Sequence, residues 1–302
     1  MGKIWLICLL CVLAACNQAP AHEVISLSAL QPLPKAAEQT IVPLRVSVAA
    51  VISPKGTAQS YQALLDYLSA KLERPVELVQ RRTYAETNAL VEAGYVDVAF
   101  VCTSAYLDGA ARFGMELLAA PQVNGKTVYH SVLLVPAKST AQSMADLRGK
   151  RFAFTDPMSN TGRVYPTYLV KQLGSTPQEF FSEVFYTYNH DDAIRAVAEQ
   201  VADGAAVDSL VYEFALAREP ELAKRVRVIH RSPPFGIPPV VVNPEARPQL
   251  KAILRDLLYG MADDPEGQKA LAALGIERFV PISDEAYSSV RRLFQEMHLL
   301  SP

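Results

Sequence analysis

The sequence predicts an α/β protein of two lobes, each a mixed sheet with flanking helices, joined by two strands that cross between them. Three observations carry this. Short β-branched runs alternate with stretches of apolar residues at helical spacing, the pattern of βαβ units and a largely parallel sheet. The alternation runs through once and begins afresh after Val135. Finally, a folded body of roughly 260 residues exceeds the ~100–150 of a single core.

The N-terminus carries one charge, Lys3, then an apolar run from Ile4 to Leu13 closing on Ala14 and Ala15 before Cys16. This is the layout of a secretory signal over residues 1–15. The run falls short of the ~20 residues that span a bilayer, so removal after export is expected. Leu13-Ala14-Ala15-Cys16 resembles the lipobox of bacterial lipoproteins, which implies a lipid on the Cys16 thiol. The alternative is an ordinary signal with an incidental cysteine. Residues 16–40 have little periodicity and contain Pro20, Pro32 and Pro34, as a flexible tether would.

The folded body opens with a strand from Leu44 to Ile52 and the loop Ser53-Pro54-Lys55-Gly56. Tyr61, Leu64, Leu65, Leu68 and Leu72 mark a helix of about three turns. Strands Pro75–Val79, Val96–Val101 and Glu116–Ala119 alternate with helices Tyr84–Ala93 and Ser104–Phe113. Tyr129–Val135 is a crossing strand. The second unit comprises a short Met144–Leu147 turn, strand Arg151–Phe154, a helix from about Gly162 to Leu173, strand Val184–Tyr188 and helix Asp191–Gln200. Strand Ala205–Val207, helix Ser209–Arg218 and strand Arg225–His230 complete it. Pro233–Pro239 leads into the strand Val240–Val242, with the second crossing near Pro233–Val242, and three helices follow from about Pro244, Pro265 and Asp284. The expected division is residues 41–131 plus 236–302 as one lobe and 132–235 as the other. A cleft between them is the default ligand site, because open α/β sheets bind at the carboxyl ends of their strands.

Composition excludes several classes. The formal net charge is only −2 and no basic stripe stands out, so nucleic acid is not an expected partner. No Gly-x-Ser-x-Gly elbow, His-Glu-x-x-His helix or phosphate loop is found, so neither catalytic residues, metal nor cofactor are expected. Of four cysteines, Cys8 and Cys11 leave with the signal and Cys16 takes the lipid, so the mature body keeps Cys102 alone. An unpaired thiol in an oxidising compartment is either a small buried hydrophobe or a functional group.

Thr155-Asp156-Pro157-Met158-Ser159-Asn160-Thr161-Gly162-Arg163 lies between a strand and a helix. A helix N-terminus offers unpaired N–H groups and partial positive charge, so oxyanions sit well there. Ser159 and Thr161 add hydroxyl donors and Gly162 lets an anion approach the backbone; the plain alternative is helix capping. His190 and Asp208 each occupy a strand-to-helix junction, where caps and surface residues are also common. If both line the cleft, Asp208 favours a ligand that keeps a proton, carries an amine or is neutral. Tyr84 and Tyr106 either face the cleft or pack their rings. Asp191-Asp192 suits a helix start by the macrodipole alone.

Val128–Val135, Met144–Phe154, Asp156–Gly162, Asn189–Ile194 and Ala205–Ser209, with Tyr84 and Val96–Phe100 upstream, resemble the phosphate/phosphite/phosphonate solute-binding proteins of ABC transporters. The resemblance implies the type II periplasmic binding fold, with Ser159, Asn160 and Thr161 on the oxyanion, Tyr84 and Cys102-Thr103-Ser104 facing it, and His190 and Asp208 closing the cleft. The family usually shows a second hydroxyl residue where this chain has Asn160, a departure that bears on the preferred anion. The fold family also includes similar periplasmic arsenite-sensing proteins that use a site cysteine, which would suit Cys102, since trivalent arsenic is thiophilic and arsenous acid is neutral. The implied function is a lipid-anchored clamp in the periplasm or at the cell exterior that captures a small oxyanion for an ABC permease. The alternative is a sensor whose closed form engages the periplasmic part of a histidine kinase. The type II fold also serves as the effector lobe of transcription regulators, but no helix-turn-helix is found here and an export signal is.

Overall fold

The computed structural model describes residues 41–298. The expected signal, the lipidation site Cys16 and the tether lie outside the described residues. Two sheets of different connectivity form the body. The first has six strands: β1 (Leu44–Val48), β2 (Val76–Gln80), β3 (Val98–Phe100), β4 (Glu116–Gln122), β12 (Val240–Val242) and β13 (Arg278–Val280), in the order β13-β4-β12-β3-β1-β2. β1 runs parallel to β2 and β3, while β12 is antiparallel to β3 and β4. The second sheet contains β6 (Ser131–Pro136), β7 (Arg151–Phe154), β8 (Glu183–Tyr186), β9 (Gly204–Asp208) and β10 (Val226–Arg231), ordered β10-β6-β9-β7-β8. This is the two-lobed type II architecture with mixed sheets.

Helices cover both faces of each sheet. α1 (Pro54–Leu72), α8 (Pro248–Gly260) and α9 (Pro265–Leu274) bury Leu64, Leu68, Leu254 and Leu271 against Leu44, Val46 and Val240. α2 (Tyr84–Glu92), α3 (Thr103–Phe113) and α10 (Ser288–Glu296) close the opposite face. Around the second sheet, α6 (His190–Ala198) and α7 (Ser209–Arg218) pack Ile194, Val197 and Val211 on Val132 and Val207. α4 (Tyr165–Gln172) and α5 (Pro177–Phe180) cover a face rich in aromatics, where Phe152 stacks on Phe181 at 4.4 Å. Burying such side chains contributes ~1.5–3 kcal/mol each. No helix among the described residues is long and apolar enough to cross a membrane.

Local chemistry explains most boundaries. Pro54 at the first position starts α1, which runs 19 residues rather than three turns because its polar first two turns carry no apolar stripe to read. The Thr83–Glu86 capping box starts α2. Gly114, at φ 76, ends α3. The expected strand Tyr129–Val135 is in fact two. β5 (Val128–Tyr129) pairs with β11 (Phe235–Gly236), and β6 joins the second sheet. The break falls at His130, whose N–H donates to Ser209 Oγ at 3.1 Å and whose Nδ1 meets the Ser232 carbonyl at 2.7 Å. The helix expected from Gly162 opens instead as a π-helical turn over Asn160–Val164 before α4. The helix expected from Pro244 begins at Pro248, and β13 and α5, three and four residues long, were not anticipated because such runs are too short for a period.

β5 and β11 are the paired crossings, and they are tightly packed. A Cβ on Gly236 would lie 2.6 Å from the Ala286 carbonyl oxygen, so only glycine fits. The lobes are closed on one another. Ser53 N–H donates to Asp191 Oδ1 at 2.7 Å, His190 N–H to the Val51 carbonyl at 2.8 Å, and the Arg82 guanidinium lies 4.3 Å from the Tyr188 ring centroid.

Candidate functional site

The carboxyl ends of β3, β7 and β9 converge between the lobes, and each strand leads into a helix or turn that starts there. After β3 come Val101 and Cys102, the N-cap of α3. After β7 comes the Thr155–Ser159 loop, and β9 ends on Asp208, the N-cap of α7. Tyr84, Cys102, Thr103, Ser104, Ser159, Asn160, Thr161, His190 and Asp208 are all buried, and the structure draws them to one interface. Tyr106 is elsewhere: its hydroxyl donates to Asp284 at 2.6 Å and its ring lies against Tyr287.

Several of these side chains have their donors committed. Thr103 Oγ1 donates to the Gly236 carbonyl at 2.7 Å, tying α3 to the hinge, and Ser104 Oγ donates across the cleft to the Met158 carbonyl. Gly162 is also committed. Its N–H donates to Ser159 Oγ at 3.0 Å, and a Cβ there would lie 1.9 Å from Thr155 Oγ1. Close packing against Thr155, not anion approach to the backbone, therefore requires glycine at 162. Ser159 both caps the turn and, at the 3.5 Å outer limit, meets His190 Nε2.

Other groups are left open. Tyr84 Oη, Asn160 Oδ1 and Thr161 Oγ1 are buried and have no hydrogen-bond partner in the protein; Thr155 Oγ1 is likewise unpaired but packs on Gly162. An unmade bond at a buried polar atom costs ~1–3 kcal/mol, so three of them at one interface need a common explanation. Asn160 Nδ2 lies 3.2 Å from Tyr129 Oη. Because amide oxygen and nitrogen exchange by rotation, the same contact also works with the tyrosine donating and Nδ2 turned inward.

Burial dominates the electrostatics. It raises the Asp208 carboxyl to about 7, against the pull of the Leu210 and Val211 N–H groups. It lowers His190 to about 3, so the imidazole is neutral. His190 Nδ1 accepts the Asp208 N–H at 3.0 Å, which leaves the ring proton on Nε2, toward Ser159. Burial also pushes the Cys102 thiol up, outweighing the Asn160 N–H and the Ser104 hydroxyl 3.5 Å away. The ionisable neighbours acting on Tyr84 are Cys102, Asp156, Asp208 and Tyr129, none of them a cation.

Two residues of the interface were not singled out from the sequence. Asp156 spans the cleft, its Oδ2 accepting Tyr84 N–H at 3.0 Å and its Oδ1 accepting Met158 N–H at 2.7 Å. Its signal was the Asp-Pro turn start, read as a loop only. Tyr129 was read as part of an apolar strand, and nothing local shows that its hydroxyl meets Asn160. Among the described residues no cluster of three His, Cys, Asp or Glu side chains could hold a metal ion.

Comparison with known proteins places this geometry in context. The family described as the periplasmic substrate-binding protein of phosphonate ABC transporters matches residues 46–287. The phosphonates-binding periplasmic protein of Escherichia coli K12 is 25% identical over 271 residues, covering 87% of this chain and 80% of its own. A phosphate-import protein, PhnD, of Mycolicibacterium smegmatis is 24% identical, covering 78% of this chain and 79% of its own. Among solved structures, the binding component of a phosphonate ABC transporter from Pseudomonas aeruginosa superposes with a TM-score of 0.80 at 22% identity, over 85% of this chain and 87% of that one. PhnD1 from Prochlorococcus marinus, in complex with methylphosphonate, gives a TM-score of 0.76 at 16% identity, over 85% of this chain and 98% of that one.

Proposed function

Because the chain belongs to the family of periplasmic substrate-binding proteins of phosphonate ABC transporters, we propose that the buried interface between its lobes holds the phosphorus oxyanion head group. One observation carries the assignment to these residues. Tyr84 Oη, Asn160 and Thr161 Oγ1 converge from both lobes with bonding capacity that no protein group uses. Ser159 joins them, since its Oγ accepts from Gly162 and approaches His190 while its own proton stays free to donate. An oxyanion satisfies all four.

The electrostatics select the charge state. With no cation among these groups and Asp208 titrating at about 7, a fully ionised dianion meets only repulsion from the carboxylate. A monoanion that shares a proton with Asp208 is accepted, and above about pH 7 an oxyanion unable to carry a proton is refused. Calorimetric titration with methylphosphonate, phosphite, phosphate and sulfate at about pH 8, where Asp208 is ionised unless the ligand brings a proton, tests this. Binding of the protonatable phosphorus anions, and none of sulfate, is expected; sulfate binding as tightly as phosphonate would refute it.

We read the protein as a binder that turns nothing over, its function being delivery to an ABC permease. Leu13-Ala14-Ala15-Cys16 supports retention at the membrane by a lipid on Cys16. Cys102 favours a second reading. Its Sγ stands among the head-group residues, where a neutral thiophilic oxyacid such as arsenous acid would exchange one As–OH for an As–S bond, the thiol proton leaving with the hydroxyl as water, and a clamp closed on it would signal to a sensor kinase. Cys102→Ser separates the two. Loss of arsenite binding with phosphonate affinity kept supports the thiol as a ligand, whereas an unreactive thiol and a wild type blind to millimolar arsenite remove it.

A further inference from the structure

Asp208 has a second face. Besides acting on Tyr84, Tyr129 and Cys102 in the polar interface, it lines a cavity of about 410 Å³ whose wall is otherwise largely apolar. Tyr61, Phe100 and Phe279 form one side of it, in edge-to-face contacts at 5.1 and 6.1 Å. Leu210, Val211 and Phe214 of α7 form the other. The first set belongs to the lobe of β1–β4 and the second to the lobe of β6–β10, so this cavity exists as such when the lobes are closed. Ser60, buried at 3% exposure, is on its wall, and its Oγ has no partner in the protein.

Such a wall is a poor host for water, which needs two to four polar partners, and a good one for carbon. A cavity of about 150 Å³ holds benzene, so this one has room for an aromatic ring or a chain of several carbons. The cavity is open to solvent at Ala217, and Asp208 is the residue it shares with the head-group side. We infer that the cavity is a second compartment of the ligand site and holds the alkyl or aryl substituent of an organophosphonate whose head group lies at Tyr84, Ser159, Asn160 and Thr161. This rests on the head-group reading above and adds the substrate class: phosphonates with a bulky apolar substituent, rather than inorganic phosphorus anions. Because both lobes wall the compartment, filling it also favours closure.

The test is a calorimetric series of methyl-, propyl-, butyl- and phenylphosphonate on the wild-type protein and on Ala217→Trp. Ala217 is an exposed residue of α7 at the cavity rim, away from the head-group residues, and a tryptophan there occupies the space without disturbing a packed core. Each methylene moved from water into an apolar site improves affinity by up to about fourfold, so butylphosphonate is expected to bind about tenfold or more tighter than methylphosphonate. In Ala217→Trp that gain disappears, while the Kd for methylphosphonate stays within about threefold. Methylphosphonate binding with no gain along the series overturns the compartment alone. Ala217→Trp weakening every ligand equally does the same. A wild type that binds none of the four overturns the head-group reading, and the compartment with it.

Discussion

Replacing Thr161 by valine separates a ligand contact from a structural role, because the two give effects of opposite sign. Thr161 is fully buried and its Oγ1 has no protein partner. Its structural bond is made by the backbone, where the Thr161 carbonyl accepts Ser131 Oγ at 2.7 Å, and valine keeps that bond. The substitution exchanges the hydroxyl for a methyl of nearly the same size and keeps the β-branch. In the ligand-free protein it removes a desolvated, unpaired group, so stability should stay the same or rise, by at most ~1–3 kcal/mol. With ligand present it removes a hydrogen bond to an anion, worth ~1.5–3 kcal/mol, or roughly 10- to 150-fold in Kd. Urea denaturation of the free protein gives the first number and titration with methylphosphonate the second. A variant that loses more than about 1 kcal/mol of stability while its Kd is unchanged would refute the assignment and leave Thr161 as part of the turn only.

Three further outcomes follow from the same structure. The Asp208 carboxyl, raised to about 7 from an unfolded value near 3.8, contributes stability that is complete below about pH 3.8 and lost as pH rises to about 7. Asp208→Asn should therefore gain on the wild type between pH 4 and 8, by up to about 4 kcal/mol, and a pH-independent difference would contradict this; His190, lowered to about 3, works oppositely in both proteins, losing stability as pH falls below 6.5. Gly162→Ala should destabilise by ~1–3 kcal/mol or more, since its Cβ meets Thr155 at 1.9 Å, and an unperturbed urea midpoint would show that the turn can move. Expressed with its signal in a bacterium, the chain should partition into detergent with a lipid at Cys16, Cys16→Ser should not, and a soluble wild type with a free N-terminus would defeat the lipobox reading.

Much of the architecture was legible because it is written in local patterns. The apolar spacing of Leu64, Leu65 and Leu68, the helix Tyr84–Ala93 and the apolar run Val240–Val242 each report on their own few residues, and each became the element it announced. The polar strand ends at Ser159 and Asp208 were legible for the same reason, since a hydroxyl or carboxyl after an apolar strand is a cap wherever else it points.

What the chain order could not express is which of those polar groups remain available. Thr103 and Gly236 are 133 residues apart and Ser104 and Met158 are 54 apart, yet these pairings consume the hydroxyls that composition offered to a ligand. Tyr84, Asn160 and Thr161 are left over by the same closure of the lobes, and the apolar cavity beside Asp208 arises from walls on both. Periodicity and turn chemistry are properties of neighbours along the chain and can be read residue by residue. Hydrogen-bond satisfaction and desolvation depend on every group within a few ångströms in space, and it is the packing of one lobe on the other that brings those groups together.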